Sequence, residues 1–555
     1  MVSMHVLTAA EMQACDRATT ERFGIASIDL MRAAARAVAA FAQQQFPRAR
    51  RIAVICGRGN NGGDGMMTAR LLGAAGLEVT TLLLGAPEKL GPDVVAAWGE
   101  LLASAPPGTV QVIETAEALA GHKESLKADL LIDAVVGTGF KPPLKGLAKA
   151  ALEWVKASRA PILSIDLPSG WPADATSATA PAPVFPSDAV ITFTAPKGAH
   201  VFGQLTRAWD QPVLVVPIGS PKQAIVSTSG VDWAGSAMEL AKTPRAAAAN
   251  KGNFGHVLVV GGSIGRSGAP SMTALAALRS GAGLVTAAVP ASVLALVAAV
   301  APELMTWPLA ATAAGGISAE SLVPESLKSL MEGKTVLAIG PGLGQAAETV
   351  KFVTGLLAAT RIPAVIDADA LNILAAKPVL LAKLAKGRTV VLTPHPGEMA
   401  RLAGITIAEV QANRLDVARG FAQRFGVILV LKGARTLIAH PDGRVAVNTT
   451  GNPGMAKGGS GDLLTGLVAG LLAQHPGDAD RAVEAAVYLH GLAADLAVRS
   501  QDEHTLLATD SLQKLSQAFR LDARGENGYV WLQGLPVDSK PCVCSNEADP
   551  REVPK

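Results

Sequence analysis

The stretch "GNPGMAKGGSGDLLTG", Gly451 to Gly466, sets a run of glycines ahead of one carboxylate, Asp462, where a helical pattern opens. Glycines let backbone N–H groups approach a ligand closely, and a helix N-terminus favours an anion. A phosphate loop of the G-x-x-x-x-G-K-[ST] type would end in lysine. Here Lys457 is followed by glycines, and the helix is expected to open at Asp462. Gly459, Ser460 and Gly461 then offer N–H donors to a phosphoryl group, with Asp462 beside it as a base. The helix end contributes about 0.3–1 kcal/mol toward an anion, whereas a positioned base contributes roughly 10²–10⁴ in rate. The base contributes more, and its chemistry is to deprotonate a hydroxyl about to attack phosphorus.

Other candidates fall at the ends of apolar runs. In the second half these are Gly340, Gly342 and Gly344 in "TVLAIGPGLG", His395 and Glu398 in "TVVLTPHPGE", and Lys432 in "LVLKGARTL". Each alone also fits a structural role, and H-x-x-E in a loop lacks the helical H-E-x-x-H spacing of a zinc site. In the first half, "RIAVIC" leads into "GRGNNGGDG", where Gly57, Gly59 and Gly62 satisfy G-x-G-x-x-G. A dinucleotide fingerprint also wants an acid ending the second strand. The only acid there, Glu78, stands at that strand's start, so the hydride-transfer reading loses. "LIDAVVGTGFKPP" adds Asp133, Gly137, Thr138 and Gly139, and "LSIDLPSG" adds Asp166 and Ser169. A lone Asp at such a position is a turn residue; three such sites on one sheet edge make a pocket.

These residues need a scaffold that brings strand ends together. "RIAVIC", "LEVTTLLLG", "TVQVIE", "ADLLIDAVVG", "APILSIDLPSG", "DAVITF" and "PVLVVP" are short apolar runs alternating with helical patterns. That rhythm predicts a parallel sheet covered on both faces. Thr8 and Glu11 fit a capping box for an opening helix that stops near Gly24. From about Pro217 to Asn253 the sequence is polar and Ala-rich with no clear strand, as at a domain boundary. The rhythm resumes with "HVLVVGG", "GLVTAAVP", "TVLAIGPGLG", "IPAVIDADAL", "TVVLTPHPGE" and "GVILVLKG". A hairpin turning at Asp442-Gly443 and three helical stretches follow. The expected organisation is 1–225, 226–520 and a polar tail over 521–555, with each half folding when the chain is cut at the break.

The chain has 555 residues, 49% hydrophobic and 17% charged, with a formal charge of +3, which is a globular composition without a basic nucleic-acid stripe. Four cysteines (Cys15, Cys56, Cys542, Cys544) cannot frame a protein of this size, so a reducing setting is expected. The C-x-C at Cys542 has too few neighbouring ligands for a metal site. No apolar run is long enough to span a membrane. A cytoplasmic protein without membrane or nucleic-acid partners follows, and a homo-oligomer is expected.

Two resemblances sharpen this reading. "NNGGDG", "DAVVGTG" and "SIDLPSG" resemble the NAD(P)H-hydrate epimerases over about Val6 to Pro217. The resemblance implies a Rossmann-like domain acting on reduced nicotinamide cofactor that has added water at carbon 6. It implies that Asn60, Asn61, Gly62, Gly63 and Asp64 contact the hydrate's phosphates. Gly137, Thr138, Gly139, Phe140, Lys141, Pro142 and Pro143 would form a second binding loop. Asn61, Asp133 and Ser169 would hold potassium, and Asp166 would be the acid/base at the reacting ring. "KGNFGHVLVVGGS", "GPGLG", "HPGE", "KGARTL" and "TGNPGMAKGGSGDLLTG" resemble the ADP-dependent NAD(P)H-hydrate dehydratases, of ribokinase-like α/β fold, over about Ala248 to Ala518. That implies phosphorylation of the hydrate by ADP, with magnesium, and release of NAD(P)H, AMP and phosphate. Ala269, Gly342, His395 and Asp462 would contact the hydrate. Lys432, Gly433, Ala434, Arg435 and Thr436, with Gly461, would contact the nucleotide. A ribokinase-type kinase of a vitamin precursor would explain the second half alone, and a non-catalytic epimerase-like module the first.

Overall fold

The computed structural model describes residues 3–525 and 527–536. Cys542 and Cys544 lie outside them. Seven strands follow the first set of apolar runs: β1 (Arg51–Cys56), β2 (Glu78–Leu84), β3 (Val110–Ile113), β4 (Leu130–Ala134), β5 (Ile162–Ile165), β6 (Ala189–Phe193) and β7 (Val213–Val216). They are parallel to one another, and apolar residues fill both faces. Ile52, Val54 and Cys56 pack on one side, Ala53 and Ile55 on the other. Burial on both faces is why these runs are continuous rather than alternating. The capping box at Thr8 and Glu11 forms as expected and opens the helix Ala9–Glu21.

The second sheet holds β8 (Val231–Trp233), β9 (His256–Val260), β10 (Leu284–Pro290), β11 (Met305–Leu309), β12 (Val336–Ile339), β13 (Ala364–Ile366), β14 (Val390–Leu392), β15 (Ile428–Leu431), β16 (Leu437–Ala439) and β17 (Val445–Val447). Its order is β11-β10-β9-β12-β13-β14-β15-β16-β17-β8, parallel except for the β15–β16–β17 antiparallel hairpins. β8 and β11 were not legible as strands: β8 is three residues long, and β11 has a mostly exposed pattern with Pro308 inside it.

The region read as a polar tail contains β18 (Val530–Gln533), which pairs antiparallel with β7 and completes the first sheet in the order β18-β7-β6-β5-β4-β1-β2-β3. Val530 and Leu532 face the core shared with the second domain, while Trp531 turns to the opposite face and meets Phe41 edge-on at 6.2 Å. The segment around Met4–Leu7 crosses the other way, with Val6 N donating to Val231 O (2.9 Å) on the second sheet's edge. One buried cluster runs from Trp171, Val190 and Phe202 into the second domain's core. The halves are therefore interlocked, so a cut in the polar break would leave β7 without β18 and the segment at Val6 without Val231.

A buried ion cluster braces the hairpin. Next to β16, His440 lies between two carboxylates of the helix Ala479–Ala497, with Nε2 2.8 Å from Glu484 Oε1 and Nδ1 3.3 Å from Asp480 Oδ1. Burial pulls its pKa down, but Asp480 and Glu484 together outweigh burial and lift it to about 9. A pKa raised on folding stabilises fully below the unfolded value and is lost as pH rises through the folded one. The cluster should contribute on the order of 3 kcal/mol near pH 6 and little above pH 10. His440→Gln should lower the melting temperature at pH 6 and lose most of that deficit at pH 10. Equal deficits at both pH values would rule out the charge as the cause.

Candidate active sites on the two sheets

In each sheet the strand order reverses once between parallel neighbours, between β1 and β4 in the first and between β9 and β12 in the second. Open α/β sheets bind ligands outside the carboxyl ends at such a point. In the first sheet a cleft of about 1360 Å³ opens there. The loop after β1 reaches it because Gly57 lies so close that an added Cβ would sit 1.9 Å from Val135 O, and one on Gly62 would sit 1.8 Å from Gly57 O. Gly57 and Gly62, two of the three glycines that mimic a dinucleotide fingerprint, are thus required by packing, whereas a Cβ on Gly59 would meet nothing within 4 Å, and the helix Asn60–Ala74 begins at once.

Asn60, Asn61, Asp64, Gly137, Thr138, Gly139, Phe140 and Asp166 line this cleft. Gly62 and Gly63 are buried beneath it, while Lys141, Pro142 and Pro143 are exposed and outside its lining. Asp166 has a left-handed backbone (φ 66°), which turns its carboxylate into a ring of donors. Thr138 N (2.7 Å) donates to Oδ2, and Thr192 Oγ1 (2.8 Å) and Lys197 Nζ (2.9 Å) donate to Oδ1. His200 takes a proton acceptor role at Nδ1, which receives Lys197 N (3.0 Å), so its Nε2 donates to Asp166 O (2.7 Å). Burial pushes Asp166 up, but Lys197, His200 and Thr138 outweigh it and hold the carboxyl well below its ordinary range. Asp64 is driven the opposite way by burial, reinforced by the charges of Asp166 and Asp16. Asp16, also in the lining, is raised to about 6 by burial. Two carboxyls in one cleft are therefore pushed in opposite directions by their surroundings.

Lys197, 2% exposed, was missed in the sequence. Its signal was a lysine directly after β6 in "TAPKGAH". Beside the cleft, Asp133 (0% exposed) accepts from Ser169 N (2.8 Å), Ser169 Oγ (2.5 Å) and Ser164 Oγ (3.1 Å). Both side-chain polar atoms of Asn61 are buried without a partner, the one orphan among the three residues expected at potassium.

In the second sheet the helix Ser460–Gln474 opens two residues before the expected Asp462, with Gly459 as N-cap at φ +95°. Asp462 therefore sits in its first turn. The helix lies tightly on the helix Gly268–Arg279: a Cβ on Gly466 would meet Thr273 O at 2.1 Å. Thr273 Oγ1 also donates to Asp462 O (3.0 Å), which fixes the helix's opening turn. Ala269 lies one turn before Thr273, and a Cβ on Gly342 would come within 3.3 Å of its own Cβ, so Ala269 and Gly342 share one wall.

Opposite, Lys432 Nζ donates to Asp367 Oδ1 (2.9 Å) and lies 3.9 Å from Glu398 Oε2. Thr465 Oγ1 donates to Asp367 Oδ2 (2.7 Å). A Cβ on Gly461 would stand 3.3 Å from Lys432 Nζ, so a bare backbone lets the lysine reach the helix start. His395 caps the helix Pro396–Ala403, its Nδ1 accepting from Gly397 N (3.0 Å), and its Nε2 lies 3.6 Å from Glu398 Oε1. Burial lifts Asp462 to about 6, helped by Asp367 and opposed by Lys432. Burial pulls Lys432 down, yet Asp367 and Glu398 raise it overall, so it is a fixed cation. Asp367, a strand-end acid in "VIDADAL", was passed over in the sequence although it organises this site. Arg435, expected at the nucleotide, sends its side chain away from the loop: its Nη1 donates to Thr449 O (3.0 Å) and its Nη2 to Gly203 O (3.0 Å).

Fold and side-chain clusters together describe a two-domain α/β protein with a candidate site on each sheet. Family models match on both sides of the break: "YjeF-related protein N-terminus" over residues 27–199 and "NAD(P)H-hydrate dehydratase" over residues 257–517. The bifunctional NAD(P)H-hydrate repair enzyme Nnr of Moorella thermoacetica is 40% identical over 543 residues, covering 93% of this chain and 97% of that one. Its Escherichia coli counterpart is 34% identical, covering 94% and 95%. The chain belongs to the bifunctional NAD(P)H-hydrate repair enzyme family. A solved ADP/ATP-dependent NAD(P)H-hydrate dehydratase from Bacillus subtilis, co-crystallised with ATP/Mg2+, is 34% identical, covering 51% of this chain and 96% of that one at a TM-score of 0.43.

Proposed function

We propose that the first cleft interconverts the two carbon-6 epimers of hydrated NAD(P)H and that the second site dehydrates one of them at the expense of ADP. The observation that carries this reading is the pairing, on one chain, of a cleft in which Lys197 is bonded to Asp166 and Asp64 lies nearby with a glycine-backed carboxylate at a helix start. In the first cleft Asp64 keeps a proton to give the departing hydroxyl. The ring nitrogen's lone pair then forms the N1=C6 bond as the C6–O bond breaks. Asp166, held ionised by Lys197, stabilises the cationic ring until water adds to its other face, and the proton that water gives up passes through solvent to restore Asp64. Phe140 and Thr138 line the space for that ring. Potassium fits Asn61, Asp133 and Ser169, since Asn61 brings an unpartnered buried oxygen and Asp133 a buried carboxylate; its charge would favour the hydrate's phosphates.

In the second site Asp462 takes the proton of the carbon-6 hydroxyl as its oxygen attacks the β-phosphorus of ADP, and AMP leaves. The ring nitrogen then expels phosphate from C6, and loss of a C5 proton restores the C5=C6 bond of NAD(P)H. Lys432 and the N–H groups at Gly459 to Gly461 stabilise the transferring phosphoryl. Magnesium enters with the nucleotide.

The test is recovery of the reduced-nicotinamide absorbance from mixed epimers with ADP. The unmodified chain should run to completion in one phase. Asp166→Asn should stop partway and continue only at the uncatalysed epimerisation rate, and replacing potassium with choline should produce the same break. One fast phase in the variant would overturn the role of Asp166, and an unaltered course in choline would overturn the cation.

A further inference from the structure

The nucleotide loop is gripped from behind. Arg435 is the loop's one non-glycine residue in the left-handed region (φ 55°), a conformation that persists only where the surroundings over-determine it. Its guanidinium reaches three acceptors from three parts of the chain. Thr449 O leads into the glycine loop of the second site, Gly203 O belongs to the first domain, and Gln533 Oε1 belongs to β18. Each acceptor is itself fixed. Gln533 Nε2 donates to Thr206 Oγ1 (2.8 Å) and Gln211 O (2.9 Å), both in the first domain. Thr449 Oγ1 receives Trp233 Nε1 (2.8 Å) and donates to Leu532 O. Gly203 directly follows the short helix Gly198–Phe202, which carries His200. From the other side Arg414 donates to Leu431 O (3.2 Å) and, at longer range, to Lys432 O and Arg435 O.

We propose that Arg435 is a positioning residue for the nucleotide loop and that the first domain and β18 hold it in place, so that the second site's hold on ADP depends on the first domain. The proposal rests on the reading that residues 432–436 flank the nucleotide. Arg435 then works through the loop's backbone: its side chain never meets ADP but fixes the geometry at which Lys432 and the N–H groups around Gly433 do. Charged hydrogen bonds of this kind are the stronger class, and displacing a loop even slightly loosens a bidentate hold on a polyphosphate.

The experiment uses the full chain, hydrated NADH in the epimer the second site accepts, and ADP as the varied substrate. Gln533→Leu removes the acceptor from β18 and should raise the KM for ADP about tenfold while kcat stays within about twofold. Epimerisation should be unchanged. Gln533→Glu still accepts from Arg435 and should return KM close to the unmodified value. Arg435→Lys, which keeps the charge but cannot span three acceptors, should raise KM in the same direction and serves if the leucine variant fails to fold. An unchanged KM for ADP in the folded variants, with only a lower melting temperature, would overturn the proposal and leave Arg435 a structural tie. Absence of ADP-driven repair in the unmodified chain would instead overturn the functional reading itself.

Discussion

Asp462→Asn is expected to abolish ADP-driven recovery of NAD(P)H, with a loss of at least about 10²–10⁴ in kcat. The amide keeps the side chain's size in the first turn of the helix Ser460–Gln474 and still suits a helix start, so the fold and the first site's epimerisation should persist. It cannot take a proton. The loss should fall on kcat and kcat/KM alike, because the proton moves only as the hydroxyl attacks. Asp462 lifted to about 6 also sets the pH dependence. The base must be deprotonated, so the dehydration rate should be flat above pH 7 and fall as the pH drops through about 6. Near-normal turnover in the variant, measured by absorbance recovery with pure acceptable epimer, would remove Asp462 as the base.

The second large effect concerns the polar break. A fragment of residues 1–225 is expected to aggregate rather than fold, because it lacks β18. Without that strand β7 becomes an open, apolar edge, and such edges pair with other chains. The fragment also loses the burial of Val530, Trp531 and Leu532, each fully buried apolar side chain contributing about 1.5–3 kcal/mol. That sum rivals the total stability of an ordinary domain. Because β18 runs antiparallel to β7, with Val530 opposite Val215 and Trp531 opposite Leu214, a short turn after Pro217 followed by residues 529–535 would restore the edge as a hairpin. The hairpin-extended fragment should be markedly more soluble and recover epimerase activity that the plain fragment lacks. A plain fragment that elutes as a folded, active monomer would refute the interlock.

Most of the scaffold and much of the chemistry were legible because they rest on local pattern. Continuous β-branched runs declare buried parallel strands, and a strand end followed by glycines declares a binding loop. What escaped was what depends on distant partners. β18 is a few apolar residues in polar surroundings, and only the exposed edge of β7, remote in sequence, makes it a strand. Lys197 and Asp367 carry no spacing signal; they matter because folding sets them 2.9 Å from Asp166 and Lys432. Arg435 sits inside a nucleotide-loop motif, yet its backbone turns the side chain toward the domain seam. Lys141 to Pro143 follow the same motif logic as Thr138 but fall on the exposed side of the loop.

β18 also sets an order of events at the ribosome. The first seven strands leave the exit tunnel early, but their closing partner is synthesised more than three hundred residues after β7. At roughly 5–20 residues per second the edge of the nascent sheet stays uncovered for about 15–60 seconds. Throughout that interval the emerging first domain exposes an unpaired edge of the kind that pairs with other chains, and neighbouring nascent chains on one message carry the same open edge. Emergence of β18 is therefore the step that seals the first domain, and a ribosome stalled between β7 and β18 leaves that sheet's edge open.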